Sequence, residues 1–206
     1  MASNYDNSAG FYDGLSRMIF GKALVKAQVY LLQFIPANSK ILIVGGGTGW
    51  ILEEIAMLHP TGLAITYVEI SANMLTLSRK RDAGDNRVVF INDAIEQVKL
   101  DQDYDVIITA FLFDNFTQDR LPVAFEHIHR ALKPKGLWLC TDFQVTGALW
   151  QRVLLKSMYL FFKLLCGIDT TTLPDIEGQF ARHRYKKKSA KAFFADFIIS
   201  TLYQKS

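Results

Sequence analysis

The spacing of apolar positions changes period repeatedly along this chain. From about Leu15 to Phe34, Ile19, Leu24, Val25, Val29, Leu31 and Leu32 recur at near-helical intervals, and Pro36 ends the run. Short, mainly apolar runs follow: ILIV (41–44), AITYVEI (64–70), VVFI (88–91), DVIITAF (105–111) and GLWLCTDF (136–143). Helices are expected between them near 50–59, 72–82 and 118–132. Strands this evenly apolar suit a parallel sheet covered on both faces, and strands alternating with helices require crossover connections. Closer to the end, RHRYKKKSAKAFF and DFIISTLYQK read as two further strands, able to pair through Ala195 and Asp196 as an antiparallel hairpin. The pattern predicts an α/β fold: a doubly wound, mostly parallel seven-stranded sheet with a C-terminal antiparallel hairpin.

Composition narrows the picture. A chain of 206 residues, 50% hydrophobic and 21% charged, buries enough surface to fold without a disulfide or metal staple. No repeat, low-complexity tract or linker divides it, so residues 1–206 are expected to form one domain. Within it, 1–38 would be an N-terminal cap and helix, and 144–182 a helical lid. Cys140 and Cys166 lie far apart in apolar segments and read as reduced core thiols, and MASNYDNSAG lacks the basic and apolar regions of a secretory signal. A cytoplasmic location is expected.

The stretch ALWQRVLLKSMYLFFKLLCGI (148–168) is long enough to cross a bilayer, yet it carries Arg152, Lys156 and Lys163. Spaced by four and seven residues, these share one helical stripe and leave a broad apolar face opposite. An amphipathic helix is expected rather than a transmembrane segment. Packing on the domain's own core is the first reading, with an apolar substrate cover or a membrane-surface contact as alternatives.

In an open α/β sheet the ligand sits beyond the carboxyl ends of the strands, where strand order reverses. Here the first strand runs into GGGTG, Gly45 to Gly49, which lets backbone approach a ligand closely and opens directly into a helix N-terminus. A dinucleotide fingerprint would need glycine at position 50, which is Trp50, and a phosphate-binding P-loop would need Gly-Lys-Ser/Thr. The spacing that fits is Gly45-x-Gly47-x-Gly49. Glu69 ends the second strand, where a carboxylate can accept from both hydroxyls of a ribose, and Asp93 follows the third, where one can accept from an exocyclic amino group. Together they suggest an adenosine with a small charged tail.

These residues resemble the class I S-adenosylmethionine-dependent methyltransferases, through VGGGTG, YVEIS, the NDA after strand three, DYDVIITAF and ALKPKGLWLC. The opening YDNSAGFYDGLSRMIFGKALVKAQ looks like the N-terminal segment of the small-molecule branch that includes the ubiquinone/menaquinone-biosynthesis C-methyltransferases. The resemblance implies S-adenosylmethionine as cofactor and S-adenosylhomocysteine as product. It also implies that Gly45, Gly47 and Gly49 meet the methionine portion, that Glu69 takes the ribose, and that Ile70 lies on the adenine face. Asp93 would hold the adenine amino group with Ala94 beside it, and Ala110 and Phe111 would lie near the sulfonium. Tyr5 and Tyr12 would help close over the cofactor. One departure is Ile43, where many members carry an acid that anchors the ammonium group; a strand-four carbonyl or Asp114 is the expected substitute, or binding is weaker.

Methyl transfer needs an aligned nucleophile and, where necessary, a proton acceptor. Asp114, in TAFLFDNF beside Asn115, is the first candidate and Asp142 the second, with Tyr12 able to bound the site. His127 and His129 point in different directions on one helix, and no Cys/His/acid cluster has ligand spacing, so no metal is expected. RHRYKKK (182–188) reads as a solvated strand edge rather than a nucleic-acid patch. The helix rich in Phe161, Phe162 and Leu164, followed by GIDTTTLPDIEGQF with Pro174 and Gly178, suggests an irregular lid over a small apolar or aromatic acceptor, methylated at O, C or N. The alternatives are a non-catalytic cofactor-binding protein and a nicotinamide oxidoreductase. Oligomeric state is left open.

Overall fold

The computed structural model describes residues 20–166 and 172–206. Its strands are β1 (Lys40–Val44), β2 (Thr61–Val68), β3 (Asp85–Ile91), β4 (Tyr104–Ala110), β5 (Leu132–Phe143), β6 (Lys186–Phe193) and β7 (Ile198–Gln204). They form one seven-stranded sheet in the order β3-β2-β1-β4-β5-β7-β6. The first five are mutually parallel; β7 runs antiparallel to β5 and β6 antiparallel to β7. Strand order therefore reverses between β1 and β4, whose carboxyl ends lie side by side, with Val44 paired to Thr109.

Period-two alternation assigns each strand residue to a layer. Leu42, Val44 and Ile107 face a core built with Phe113, Phe125, Trp138 and Phe180. Ile41, Ile43, Val106 and Ile108 face the opposite core with Leu31, Ile51, Ile55 and Tyr67. The helices Ala23–Leu32 and Trp50–Leu58 supply the second layer, and Leu121–Ala131 and Ile176–Arg182 the first. A third cluster, with Phe20, Phe143, Leu155, Met158, Tyr159 and Phe197, sits under the long helix Leu149–Cys166. Among the described residues, no helix is long and apolar enough to cross a membrane.

Several boundaries differ from the sequence expectation. The helix Ala72–Ser78 is shorter than 72–82, and β5 starts at Leu132 because the chain turns straight from helix into strand, with Lys135 at φ +62° in the left-handed region. The stretch 182–194 is not one strand. Arg182 closes the helix Ile176–Arg182, Arg184 turns at φ +57°, and β6 begins only at Lys186. Pro174 lies in the irregular stretch ahead of this helix, but Gly178 does not mark irregular chain: the Asp175 carboxylate accepts from Gly178 N at 2.8 Å and caps that same helix, whose Phe180 is buried in the core against Tyr203. That part of the expected lid packs on the sheet. Residues 167–171 of it, and the starting residues 15–19 of the first predicted helix, fall outside the described residues.

Candidate active site

The carboxyl ends of β1, β2 and β4 open onto a cavity of about 410 Å³, a size typical of small-molecule sites. Its floor is the glycine turn. Gly45 and Gly47 take φ of +67° and +63°, a region that costs other L-residues roughly 1–2 kcal/mol. A Cβ on Gly47 would meet nothing nearer than Met74 Sδ at 3.9 Å, so it would stand in the open cavity. At Gly47 the turn is thus a cradle that a side chain would fill, whereas a Cβ on Gly45 would lie 2.9 Å from Leu112 Cδ1.

The other two glycines serve packing. A Cβ on Gly46 would lie 2.3 Å from the Tyr67 ring and hydroxyl, and one on Gly49 would lie 2.5 Å from Ser78 Cβ. Gly46 was not among the residues singled out from sequence, because its constraint comes from a β2 side chain. Gly49, which opens the helix Trp50–Leu58 at φ +79°, lets the helix Ala72–Ser78 pack close. It is not among the residues lining the cavity, whereas Trp50 is. Close helical packing at position 49 leaves position 50 free to carry an indole.

Glu69 is 4% exposed and lines the cavity. Its carboxylate accepts from Gly47 N at 2.9 Å and from Ser71 N at 2.8 Å, tying the glycine turn to the end of β2. A carboxylate offers about four lone-pair sites, a set suited to accepting from a diol. Tyr67 completes the tie by donating its hydroxyl to the Gly47 carbonyl at 3.0 Å. Asn92 donates to the Glu69 and Ile70 carbonyls at 2.8 and 2.9 Å, fixing the loop that presents Ile70. Asp93 and Ala94 line the same cavity, the Asp93 carboxylate accepting from Ala94 N at 2.8 Å. An adenosine-like ligand fits this donor and acceptor set.

On the opposite wall are Ala110, Phe111, Asp114 and Asn115. Phe111 is held at φ +51° by a bond from its N–H to the Thr141 carbonyl at 2.8 Å, a strained conformation of the kind found at binding sites. Asn115 donates to the Phe111 and Leu112 carbonyls and to the Asp114 carboxylate, at 3.0, 3.2 and 2.9 Å. Asp142 does not line this cavity. It is buried behind it, accepting from Phe113 N at 3.1 Å and Phe143 N at 2.9 Å, and borders a second cavity. Burial, then the nearby Asp142 charge, push the Asp114 carboxyl well above its usual range. Burial raises Asp142 as well, opposed by backbone N–H groups of Phe143, Phe113 and Asp114. With those donors Asp142 is the better anion, so Asp114 holds the proton.

The remaining lining is mostly apolar: Phe20, Leu24, Phe116, Phe143, Leu154, Met158 and Phe161. Gln28 and the rim pair Arg120–Glu96 are polar exceptions that sequence reasoning passed over. Gln28 had a signal, since it interrupts the apolar stripe Leu24, Leu31, Leu32 of its helix. Tyr5 and Tyr12 lie outside the described residues. Cys140 is free and buried.

Residues 41–136 match the family model described as methyltransferase domain. Over 202 residues the chain is 29% identical to the ubiquinone/menaquinone biosynthesis C-methyltransferase UbiE of Geotalea daltonii, covering 95% of this chain and 78% of that protein. It is 28% identical to the malonyl-[acyl-carrier protein] O-methyltransferase of Priestia megaterium, covering 84% of this chain but only 61% of that one. Its fold matches the 1,6-didemethyltoxoflavin-N1-methyltransferase of Burkholderia thailandensis, solved with 1,6-didemethyltoxoflavin and S-adenosylhomocysteine. That match has a TM-score of 0.68 at 14% identity, over 96% of this chain and 84% of the other. In sequence and in fold the chain is similar to the class I S-adenosylmethionine-dependent methyltransferases. Within that class it resembles the ubiquinone/menaquinone-biosynthesis C-methyltransferases.

Proposed function

We propose that this enzyme methylates a small apolar or aromatic acceptor at O, C or N, and that the acceptor occupies the apolar half of the cavity. One observation carries the reading: a single cavity joins the glycine cradle, Glu69 and Asp93 to a wall of Phe20, Leu24, Phe143, Leu154, Met158 and Phe161. When bound, S-adenosylmethionine supplies a methyl group activated by positively charged sulfur.

In this reading Gly45 and Gly47 give the methionine portion close backbone, Gly49 supports them through helix packing, Glu69 accepts from the ribose, and Asp93 takes the adenine amino group, with Ile70 and Ala94 beside the ring. Ala110 and Phe111 bound the sulfonium end. Asp114 is the proton-handling group. A positive charge brought into the cavity favours its ionised form, which turns a resting acid into a base where the acceptor binds. It also replaces the acid missing at Ile43. Asp142 acts as a positioning residue that pins the backbone of Phe113 and Phe143. Gln28 is a polar group placed to orient the acceptor. The Lys-rich β6 edge is read as a solvated strand border, not a nucleic-acid surface. The free, buried Cys140 supports a reducing, cytoplasmic setting.

The test is S-adenosylhomocysteine production from S-adenosylmethionine against quinols, phenols and acyl carboxylates. Turnover with an apolar or aromatic class, lost in Glu69→Ala, is expected. Silence across the whole panel while the cofactor binds normally would contradict the acceptor assignment.

A further inference from the structure

The helix Leu149–Cys166 carries more apolar surface than the fold can use. Gln151, Leu155, Met158 and Tyr159 are buried beneath it, and Leu154, Ser157 and Phe161 line the cavity. A third stripe faces outward: Leu149 is 76% exposed, Val153 57% and Leu160 62%. These positions are four and seven residues apart, so they form one line along the helix. Arg152, Lys156 and Lys163 run parallel to it on the neighbouring stripe, and the helix contains no acidic residue. Among the described residues none of these three cations takes part in an ion pair. At the first turn Trp150 flanks the exposed line, its ring packed edge-on against Phe194 and tilted over Phe197.

We propose that this stripe docks onto an anionic lipid bilayer. An exposed apolar line bordered by cations only, with a tryptophan at its end, is the pattern of a helix lying in the membrane interface: the side chains enter the acyl boundary and the cations meet lipid phosphates. A docking face on another protein has no such need for one-sided positive charge. The arrangement also links surface to site, because the cavity-lining stripe of Leu154 and Phe161 lies one step around the same helix from Val153 and Leu160. An acceptor dissolved in the bilayer would reach the cavity past Leu154 and Phe161. That delivery rests on the methyl-transfer reading, whereas the docking itself does not.

The test is sedimentation of the full chain with vesicles of equal parts phosphatidylglycerol and phosphatidylcholine, and with phosphatidylcholine alone. Binding to the anionic vesicles is expected. It should fall about tenfold or more in Arg152→Glu/Lys156→Glu, and likewise in Leu149→Ser/Val153→Ser/Leu160→Ser. None of the altered side chains in the second variant lines the cavity, so S-adenosylhomocysteine affinity, read by calorimetry, should be unchanged in it and reports an intact fold. Vesicle binding without cofactor binding in the parent chain would separate failure of the methyl-transfer reading from failure of this one. Three results would overturn the proposal: no sedimentation with anionic vesicles, equal binding to both vesicle types, or undiminished binding in both variants. A parent dimer that the serine variant converts to monomer would also overturn it, assigning the stripe to self-association.

Discussion

Gly46 and Tyr67 are fitted to each other: a Cβ at position 46 would stand 2.3 Å from the Tyr67 hydroxyl oxygen, and that hydroxyl donates to the next carbonyl, Gly47, at 3.0 Å. A fully buried β2 aromatic thus sets the height of the turn after β1. Gly46→Ala should destabilise the domain by about 1–3 kcal/mol, the cost of overpacking a rigid site. Urea unfolding of the single and double variants with Tyr67→Ala should show strong coupling, the double losing less than the sum. Additive losses would mean the two residues do not meet in solution.

Gly47 has the opposite character. Its added Cβ has open space, so Gly47→Ala should cost only about 1–2 kcal/mol of stability, from its left-handed backbone. Cofactor binding should fall at least tenfold, since the methyl would project into the cradle. Calorimetry with S-adenosylhomocysteine on the folded variant checks this, and unchanged affinity would remove Gly47 from the binding surface.

The strand pattern and the acids at strand ends were legible because both are local properties of the chain. Gly45, Gly47, Glu69 and Asp93 can be picked out by spacing, and the structure gathers them on one cavity. What could not be read depends on partners distant in sequence. Gly46 answers to Tyr67, Gly49 to Ser78, and Gln28 matters only because the first helix closes over the sheet's carboxyl edge. Asp142 shows a further limit: sequence put it near the end of β5, but which cavity its carboxylate would border depended on the loop after β4, whose N–H groups capture it. The segment around Pro174 and Gly178 resembled loop by composition, yet Asp175 supplies a cap that composition alone does not reveal as one.

Asp114 should leave a mark on the pH dependence of stability. Its folded pKa is raised by burial and by Asp142, so its contribution is fully present below the ordinary carboxylate range near about 4 and is lost as pH rises toward its folded value. Asp114→Asn removes that loss. Denaturation at pH 5 and pH 8 should show the variant gaining on the parent at the higher pH. A pH-independent difference would contradict a proton held at Asp114.

The central claim is that Glu69 binds the cofactor's ribose from beneath the glycine turn. Titration of S-adenosylhomocysteine into the full chain and into Glu69→Ala tests it most directly. Losing a charged acceptor shared by two hydroxyls costs about 3 kcal/mol, more than a hundredfold in affinity. Micromolar binding by the parent, and none measurable in a variant that still unfolds cooperatively, is the predicted result; equal affinity in the two would contradict the account.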